Sequence, residues 1–577
     1  MDSKKLFFLL ALVGGAWQHR GMYRRPLISC LAVVSLLHAE VVPEFKKGAV
    51  ASVHPLATDA GVAAMRRGGN AVDAAIATAL TLGVVDGHNS GIGGGCFIMV
   101  RAADGSVTCV DGREMAPAKA HRDMYVINGK VDDEASKTGP LASGVPGALA
   151  AYDLALRKHG KLKLADLLLP AAEIADKGFP IDEVYARKLV GVATKLARFP
   201  ASAAVLLHAD GTPLKKGDLL VQHDLASTYR ALAEHGIEWF YRGEFAMKAA
   251  AWMAANAGIM TSDDFANYKP QEREPLRTSY RGYDLIGMPP PSSGGIHVAQ
   301  ILAMIERFPI KHLRDSSRIH VITEAMKLAF ADRAFWLGDP DFAPVPRGLL
   351  DKDYLAALSA RIDIDKLTPV PQHGEPPRSH DDVFGKHTTH LSAADAEGNW
   401  VALTQTINTA FGSKVIIPGT GVIMNDEMDD FSVQPGVPNA FKLLGAEANA
   451  VGPGKRPLSS MSPTLVLKDG KPIISVGAAG GPTIITQTVL ALVAMIDFGL
   501  PADKALAEPR FHHQWMPDEL KIESSFGKGT LNRVAAFGHV MEPSQGFGAC
   551  QCVAFDAEKS VFVPVHDPRI PGKADGL

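Results

Sequence analysis

The stretch that decides the fold is residues 381–413, DDVFGKHTTHLSAADAEGNWVALTQTINTAFGS. The segments THLSAADA and WVALTQTIN alternate as β-strands do, and the EGN between them is a glycine-containing turn. The pattern predicts a β-hairpin centred near Glu397 and Gly398. Counting outward from that turn places Thr388 opposite residue 406 or 407, and opposed residues have Cβ atoms roughly 4.5–5.5 Å apart. We therefore expect the Thr388 hydroxyl to lie near Thr406, with Asn408 on the same face.

A threonine that begins a strand after an exposed linker suits one kind of catalysis. Residues 343–387 are dense in Pro, Asp, His and Gly, which is typical of an exposed linker. Threonine becomes a nucleophile when its own N-terminal amine serves as the base. Cutting the bond before Thr388 would create that amine, with a pKa of about 7.7–8.0 against ~10.4 for lysine. The alternative is that Thr388 and Thr389 are ordinary strand residues, since threonine favours strands.

The histidines near this stretch do not predict a metal site. His387 and His390 are three residues apart and so point to opposite faces of a strand. His512 and His513 are adjacent and diverge in the same way. Zinc needs three or four convergent ligands, and the sequence has neither an HExxH helix nor a GxSxG nucleophile elbow. We expect no metal and no cofactor.

Composition and the N-terminus indicate an exported globular protein. The 577 residues carry a net charge of −3 and are 47% hydrophobic, which argues against disorder and against nucleic acid as a partner. Apolar runs follow basic pairs in MDSKKLFFLLALVGGAW (residues 1–17) and MYRRPLISCLAVVSLLHA (residues 22–39). We interpret residues 1–39 as a signal peptide ending at Ala39, with Met22 as an alternative start, and expect a periplasmic or extracellular location. A membrane anchor is the alternative, although each run is shorter than the ~20 residues of a span.

The rest of the chain predicts a helix-rich region followed by strands. Residues 68–83 predict a helix capped by Asn70, and residues 288–308 and 322–342 predict two more. The glycines of GHNSGIGGGCF follow a helix and open a strand, which is the wrong order for a dinucleotide loop.

The cysteines are too few for a disulfide scaffold. Export permits disulfides, yet few cysteines remain after residue 39. They are Cys96, Cys109, Cys550 and Cys552. We interpret all of them as structural, and among them we would consider Cys96 alone as a nucleophile.

Several motifs in fixed order carry a family resemblance. HTTHLSAADAEGN, TQTINTAFGS, NDEMDDFSVQPGVPNAF, KRPLSSMSPT and GAAGGP follow one another over residues 387–482. Together with DGREMAPAKA, SGVPGALAAYDL and MPPPSSGGIHVAQIL upstream, they resemble the gamma-glutamyltransferase (gamma-glutamyltranspeptidase) family of N-terminal nucleophile hydrolases. The resemblance implies an α+β fold, a four-layer αββα sandwich, from a proenzyme that cuts itself between His387 and Thr388. The large subunit would be residues 40–387 and the small subunit residues 388–577.

The resemblance also implies a mechanism. Thr388 Oγ would attack the γ-carbonyl of glutathione or another γ-glutamyl compound, with its freed α-amine as general base and Thr406 in support. The acyl group would then pass to amino acids, peptides or water. Gly480 and Gly481 match the oxyanion hole, where losing one donor can cost ~2.7–4 kcal/mol.

The resemblance assigns the donor's zwitterionic end to charged and polar residues. Arg113 matches the arginine that grips the α-carboxylate, because its planar fork suits that group. Ser459 and Ser460 would add hydrogen bonds there. The residues that match the α-amino site are Asn408, Glu427 and Asp430.

Two positions depart from the family pattern, and two other functions remain open. Glu427 stands where many bacterial members have glutamine. Phe441 stands where many have a lid tyrosine, on the loop of residues 431–449 that would shield the acyl-enzyme. One alternative is a glutaryl or cephalosporin acylase, whose substrates lack the α-amino group. The other is an inactive secreted binding protein on the same fold.

Overall fold

The strands near the predicted hairpin are antiparallel and belong to one of two large sheets. The computed structural model describes residues 43–377, 390–434 and 436–577. The predicted signal peptide, the cut site and the residues His387, Thr388 and Thr389 lie outside the described residues. The strands are β1 (Gly48–Ser52), β2 (Gly95–Arg101), β3 (Val107–Gly112), β4 (Val126–Ile127), β5 (Lys130–Val131), β6 (Phe179–Pro180), β7 (Leu219–Leu220), β8 (Gln271–Arg273), β9 (Leu276–Tyr280), β10 (Tyr283–Gly287), β11 (His390–Asp395), β12 (Trp400–Thr406), β13 (Thr464–Lys468), β14 (Lys471–Ala479), β15 (Phe511–His512), β16 (Leu520–Glu523), β17 (Met541–Ser544), β18 (Ala549–Asp556), β19 (Val561–His566) and β20 (Lys573–Gly576).

The helices flank these strands. They are α1 (Pro55–Arg66), α2 (Ala71–Val85), α3 (Ala148–His159), α4 (Leu164–Lys177), α5 (Glu183–Leu196), α6 (Pro200–Leu206), α7 (His223–His235), α8 (Glu238–Tyr241), α9 (Glu244–Ala255), α10 (Ser262–Asn267), α11 (Gly294–Ile305), α12 (Asp315–Trp336), α13 (Lys352–Ser359), α14 (Thr483–Ile496), α15 (Ala502–Ala507) and α16 (Lys528–Ala535). In the described part of the chain, no helix is long and apolar enough to cross a bilayer.

Two antiparallel sheets form the middle of the molecule. One has the strand order β20-β1-β11-β12-β2-β3-β8 and the other β19-β18-β14-β13-β10-β9. Strands β11 and β12 pack on β14, and β1 packs on β18 and β19, so the sheets lie face to face. Helices α1, α2 and α3 cover the outer face of the first sheet, and α11 and α14 cover that of the second. This arrangement is the four-layer αββα sandwich that the family resemblance implied.

Three buried apolar clusters fill the spaces between the layers. The cluster between the first sheet and its helices includes Ile76 and Leu80 of α2, and the cluster between the sheets includes Phe97 and Trp400. The third lies between the second sheet and α11, α12 and α14. Both faces of the central strands are therefore buried, which explains why β11 and β12 are buried at every position.

The predicted hairpin is confirmed. Strands β11 and β12 pair in antiparallel register, with His390 opposite Thr404 and Ala394 opposite Trp400. Gly398 in the turn has φ 99°, a left-handed conformation that glycine adopts without strain. The Asp395 carboxylate accepts hydrogen bonds from the N–H groups of Glu397 and Asn399, and so fixes the turn.

The predicted helices are confirmed with shifted ends, whereas the linker prediction was partly wrong. Asn70 caps α2 and forms a capping box with Asp73. Helix α12 begins at Asp315, seven residues before the predicted start, because its first turns are polar and gave no apolar signal. Within the predicted linker, Asp351 caps α13, whose Leu355 and Leu358 are buried at helical spacing. The dense prolines on either side concealed this short helix.

Candidate active site

Thr406 is the last residue of β12, and Asn408 follows it by two residues; both belong to the candidate site. Thr406 is buried and pairs with Gly95 of β2. Its Oγ1 accepts a hydrogen bond from the Asn408 N–H at 2.7 Å, and Asn408 itself has φ 72°. A Cβ on Gly94 would lie 1.9 Å from the Thr406 carbonyl oxygen, so this approach requires glycine. The glycine run that is not a dinucleotide loop therefore lets the chain pass directly beside Thr406.

Arg113 lies just after β3 and is completely buried. Its Nη1 contacts the carboxylate of Glu427, and its Nη2 donates to Asp430 Oδ2 at 2.7 Å. Nε donates to the Pro457 carbonyl at 3.3 Å, and Nη1 is 3.5 Å from Glu114 Oε2. The structure thus brings together Arg113, Glu427 and Asp430. The resemblance assigned Arg113 to the α-carboxylate of the donor substrate and the two acidic residues to its α-amino group. In this structure the arginine and the acidic residues pair with each other.

Charge in this pocket is unbalanced, because three carboxyl groups surround one guanidinium. Burial raises the pKa of Glu427 well above its ordinary value, opposed by Arg113 and reinforced by Glu114 and Asp430. Burial likewise raises the pKa of Glu114 to about 7, and Arg113 opposes this. For Arg113, burial favours a lower pKa, but Glu427, Glu114 and Asp430 outweigh burial and raise it. Burial and the neighbouring carboxyl groups therefore favour the protonated form of Glu427, while Arg113 favours its charged form.

Asn425 joins the β12 end of the site to the arginine pocket, and sequence reasoning missed it. Its side-chain amide donates to the carbonyls of Gly93 and Gly144 at 2.8 Å each. Its Oδ1 accepts from the N–H groups of Gly144 and Glu427, at 2.8 and 3.1 Å. The Asn408 amide also donates to the neighbouring Asp426 carbonyl at 2.9 Å. These bonds hold the segment that carries Glu427 against the glycine run before β2.

The serine pair faces a second buried arginine that sequence reasoning also missed. Arg333 of α12 donates to Ser460 Oγ at 3.2 Å and to Ser293 Oγ at 3.1 Å. Ser459 Oγ lies 3.3 Å from the Met461 N–H, and both serines are fully buried. Burial lowers the pKa of Arg333 to about 10, against the opposing effect of Asp430. Ser460 is therefore next to a cation, as expected of a residue that helps bind a carboxylate.

Gly480 and Gly481 precede Pro482, the residue that caps the N-terminus of α14. Their φ values are 128° and 60°, so both lie in the region that favours glycine. The first N–H groups of a helix have no partner within it, and its dipole favours negative charge at that end. The Thr483 hydroxyl donates to the Gly480 carbonyl at 2.7 Å and so helps to fix the turn. The two amides are therefore in a place suited to an oxyanion.

Phe441 lies against the second of these glycines. A Cβ on Gly481 would come within 2.7 Å of Phe441 Cδ1. The Phe441 carbonyl accepts from Gln514 Nε2 at 3.0 Å, and Asn439 Nδ2 donates to Asp430 Oδ1 at 3.3 Å. The loop that was predicted as a lid thus touches both the arginine pocket and the glycine turn. A cavity of about 270 Å³ lies beside Phe441 and Gly480.

The other candidates from the sequence have ordinary structural roles. His390 Nδ1 is 3.0 Å from Thr404 Oγ1, and its Nε2 is 3.0 Å from Ser392 Oγ, so both ring nitrogens bind hydroxyls. His512 bonds to Thr486 and Gln514. Cys96 is buried, and burial raises its pKa well above that of a free thiol, which argues against a nucleophile. It and the three other predicted structural cysteines are all free and buried: Cys96, Cys109, Cys550 and Cys552.

Comparison with known proteins agrees with this geometry. The model of the family described as Gamma-glutamyltranspeptidase matches residues 57–577. A glutathione hydrolase proenzyme of Escherichia coli (strain K12) is 42% identical, covering 91% of this chain and 90% of that protein. An acylase ACY 1 proenzyme of Pseudomonas sp. (strain SE83) is 37% identical over 89% of this chain and 90% of its own length.

Among solved structures, the cephalosporin acylase from Bacillus halodurans superimposes with a TM-score of 0.84 at 28% identity, covering 98% of this chain and 99% of that one. Both a glutathione hydrolase and an acylase thus match this chain over about nine tenths of its length. With a family model that spans almost the whole described chain, the protein belongs to the gamma-glutamyltranspeptidase family of enzymes.

Proposed function

We propose that this enzyme cleaves the γ-glutamyl amide bond of glutathione and related compounds and passes the acyl group to amino acids, peptides or water. The observation that carries the proposal is the pocket of opposite charges around Arg113. Asp430 and Glu427 contact the guanidinium directly, and Arg333 and Ser460 stand nearby. An α-amino acid end brings one carboxylate and one ammonium, which can replace these internal pairs with two matched ones.

We propose Thr388 as the nucleophile, released by cleavage after His387. The register of the hairpin supports this choice, because continuing the pairing of His390 with Thr404 by two residues sets position 388 against Thr406. The Thr406 Oγ1 already accepts from the Asn408 N–H, so its own proton remains available for a neighbouring hydroxyl. The α-amine freed by cleavage would take the proton of the Thr388 hydroxyl as it attacks the γ-carbonyl, and would pass that proton to the substrate nitrogen as the amide bond breaks, leaving an ester and a free amine.

The oxyanion of this step would bind the N–H groups of Gly480 and Gly481. Their place at the start of α14 adds the favourable end of the helix dipole to two backbone donors. Water or an acceptor amine would then attack the ester, with the α-amine again moving the proton. The 270 Å³ cavity beside Phe441 is the proposed entry for the acceptor, since charged side chains of both signs line it, including Lys442, Lys521 and Glu519.

We further propose residues 1–39 as a signal peptide, residues 40–387 as the large subunit and residues 388–577 as the small subunit of an exported enzyme. Arg113 and Arg333 would then come from the large subunit, and Asp430 and Ser460 from the small one. The donor pocket would exist only where the two subunits meet, so they must stay associated after cleavage.

A donor comparison separates this function from the acylase alternative. The test compares kcat/KM for a γ-glutamyl anilide with kcat/KM for the glutaryl anilide, which lacks the α-amino group. We expect a preference of about 10²-fold or more for the γ-glutamyl compound, because the glutaryl compound leaves buried carboxylates without their cation. Asp430→Asn should reduce activity on the γ-glutamyl compound more than on the glutaryl one. Equal rates on both donors would favour the acylase, and no turnover of either would favour the inactive binding protein.

A further inference from the structure

Three side chains that could bind a metal lie together at one end of α12. Each of His320, Glu324 and His539 is buried, and one ligand atom from each lies within 4.8 Å of the other two. Arg333, at the donor pocket, is 13 residues further along the same helix, which corresponds to roughly 20 Å at 1.5 Å per residue. The cluster is therefore separate from the active site.

The hydrogen bonds of His320 fix which of its nitrogens can bind a metal. Nε2 is 2.9 Å from the Asp363 carbonyl, which can only accept, so Nε2 carries the proton. Nδ1 then presents its lone pair to His539 Nε2 at 2.9 Å. The ring also stacks on Phe537, with centroids 4.2 Å apart. A carbonyl that holds the far nitrogen of a histidine is the usual device for orienting a metal ligand.

Glu324 and His539 are held in a similar way. Glu324 Oε2 accepts from the Thr368 N–H at 2.7 Å, which orients the carboxylate. His539 Nε2 lies 2.9 Å from His320 Nδ1, so it faces the same point between the three side chains. A neutral ring can move its proton from Nε2 to Nδ1 and offer Nε2 to a metal with no net loss of a proton.

The distances suit a tetrahedral ion after small side-chain movements. Zinc bonds of about 2.0–2.1 Å at tetrahedral angles set ligand atoms about 3.4 Å apart. The two imidazole nitrogens, now 2.9 Å apart, would open by about 0.5 Å. The other separations, at most 4.8 Å, would close by about 1.4 Å or less.

Lys327 is the feature that opposes metal binding. Its ammonium is 3.1 Å from Glu324 Oε1, within the same buried cluster. It also donates to the Thr368 carbonyl at 3.1 Å and lies 4.0 Å from Asp518 Oδ1, so it keeps partners if the Glu324 carboxylate turns to a metal. Its positive charge would still weaken the affinity for a dication. Removing that charge should therefore tighten binding, a result that a purely structural cluster would not give.

We propose that His320, Glu324 and His539 form a binding site for a divalent transition metal such as Zn²⁺, with water as the fourth ligand. Two nitrogens and one carboxylate oxygen are a ligand set that zinc accepts. If the chain is cut before Thr388, as the proposed function requires, His320 and Glu324 belong to the large subunit and His539 to the small one. The metal would then join the two subunits away from the catalytic pocket.

The test measures Zn²⁺ binding to the purified, chelator-dialysed enzyme by equilibrium dialysis with metal analysis, and thermal unfolding with and without Zn²⁺. We expect one zinc per chain and a higher Tm with zinc. Glu324→Gln and His539→Ala should each weaken zinc binding at least about tenfold, whereas Lys327→Met should strengthen it. His208→Ala, which removes an exposed histidine far from the cluster, should leave binding unchanged.

Two results would overturn the proposal. One is the absence of stoichiometric zinc on the wild-type enzyme, and the other is binding that survives both Glu324→Gln and His539→Ala. The wild-type measurement stands even if a variant fails to fold. Activity on a γ-glutamyl anilide is measured on the same samples, so an active enzyme without zinc overturns this site alone, and a zinc-binding enzyme without activity overturns the proposed function alone.

Discussion

Replacing Gly481 by alanine should lower the catalytic rate as well as the stability. The residue has φ 60°, where alanine costs about 1–2 kcal/mol. The new Cβ would also lie 2.7 Å from Phe441 Cδ1, about 1 Å closer than an ordinary contact of 3.5–4.0 Å. Either the ring or the backbone amide must move by that amount. If the amide moves, misplacement by about 1 Å can cost 10²-fold in kcat, or about 2.7 kcal/mol in the barrier.

The chain offers a matched control at the other end of α14. Gly499 has φ 62° and nothing within 4 Å of its Cβ position, so Gly499→Ala has the same backbone strain without the clash or the oxyanion role. The double variant Phe441→Ala/Gly481→Ala removes the clash. We expect γ-glutamyl anilide turnover to fall about 10²-fold in Gly481→Ala, to stay near wild type in Gly499→Ala, and to return in the double variant to the level of Phe441→Ala alone. Equal losses in Gly481→Ala and Gly499→Ala would refute the reasoning.

Three further changes test the pocket and the strand that leads to it. Burial raises the pKa of Glu427 above the value of about 4.5 in the unfolded chain, so wild-type stability is lost as pH rises from there towards the folded pKa. Glu427→Gln does not titrate at this position, so urea unfolding between pH 5 and 7 should show wild type losing stability relative to it as pH rises, and a constant gap would contradict this. Arg113→Lys keeps the charge but loses the planar guanidinium with its two parallel donors, so we expect KM for the γ-glutamyl donor to rise about tenfold. An unchanged KM would count against a role of Arg113 in binding the donor's α-carboxylate. Gly94→Ala would put a Cβ 1.9 Å from the Thr406 carbonyl oxygen, so the fraction of cleaved chain on a denaturing gel should fall, whereas Gly191→Ala, in open space, should cleave normally.

The hairpin could be predicted because its information is local, whereas the layer order was expected only from the family resemblance. Alternation in WVALTQTIN and a glycine turn indicate the pairing of β11 and β12, and the turn position limits the register, which matters because a slip of one residue would turn every side chain to the other face. Helix α2 was equally readable, since Asn70 and Asp73 form a capping box and the apolar residues follow at helical spacing.

The electrostatics of the pocket could not be predicted, because they depend on contacts between distant parts of the chain. Glu114 follows Arg113 directly, yet nothing local shows that its carboxyl is fully buried beside Glu427. Arg333 lies in α12, whose sequence mixes polar and apolar residues. Its hydrogen bond to Ser460 joins distant parts of the chain, so it is visible only in the folded protein. A signal was present for Asn425, since it opens the NDEMDD motif, but its side chain makes three hydrogen bonds to glycine backbones and one to the Glu427 N–H, and these require the folded chain.

The cluster on α12 could not be identified from the sequence for the same reason. His320 and Glu324 are four residues apart on one helix, which is a local signal for a shared face. The third member, His539, is more than two hundred residues away and reaches them through the packing of the second sheet's helices. Sequence patterns for zinc ligands are local, so they direct attention to histidines that are close in sequence and leave this cluster out. Those histidines are His387, His390, His512 and His513.

The most direct test of the account is cleavage and activity of three purified chains: wild type, Thr388→Ala and Thr389→Ala. We predict that wild type and Thr389→Ala each give two fragments on a denaturing gel. N-terminal sequencing should show that the small fragment begins at Thr388. Both cleaved proteins should hydrolyse a γ-glutamyl anilide. Thr388→Ala should remain one uncut chain without activity. An uncut wild-type chain that is nevertheless active, or a Thr388→Ala chain that is cut and active, would contradict the claim that Thr388 is the nucleophile.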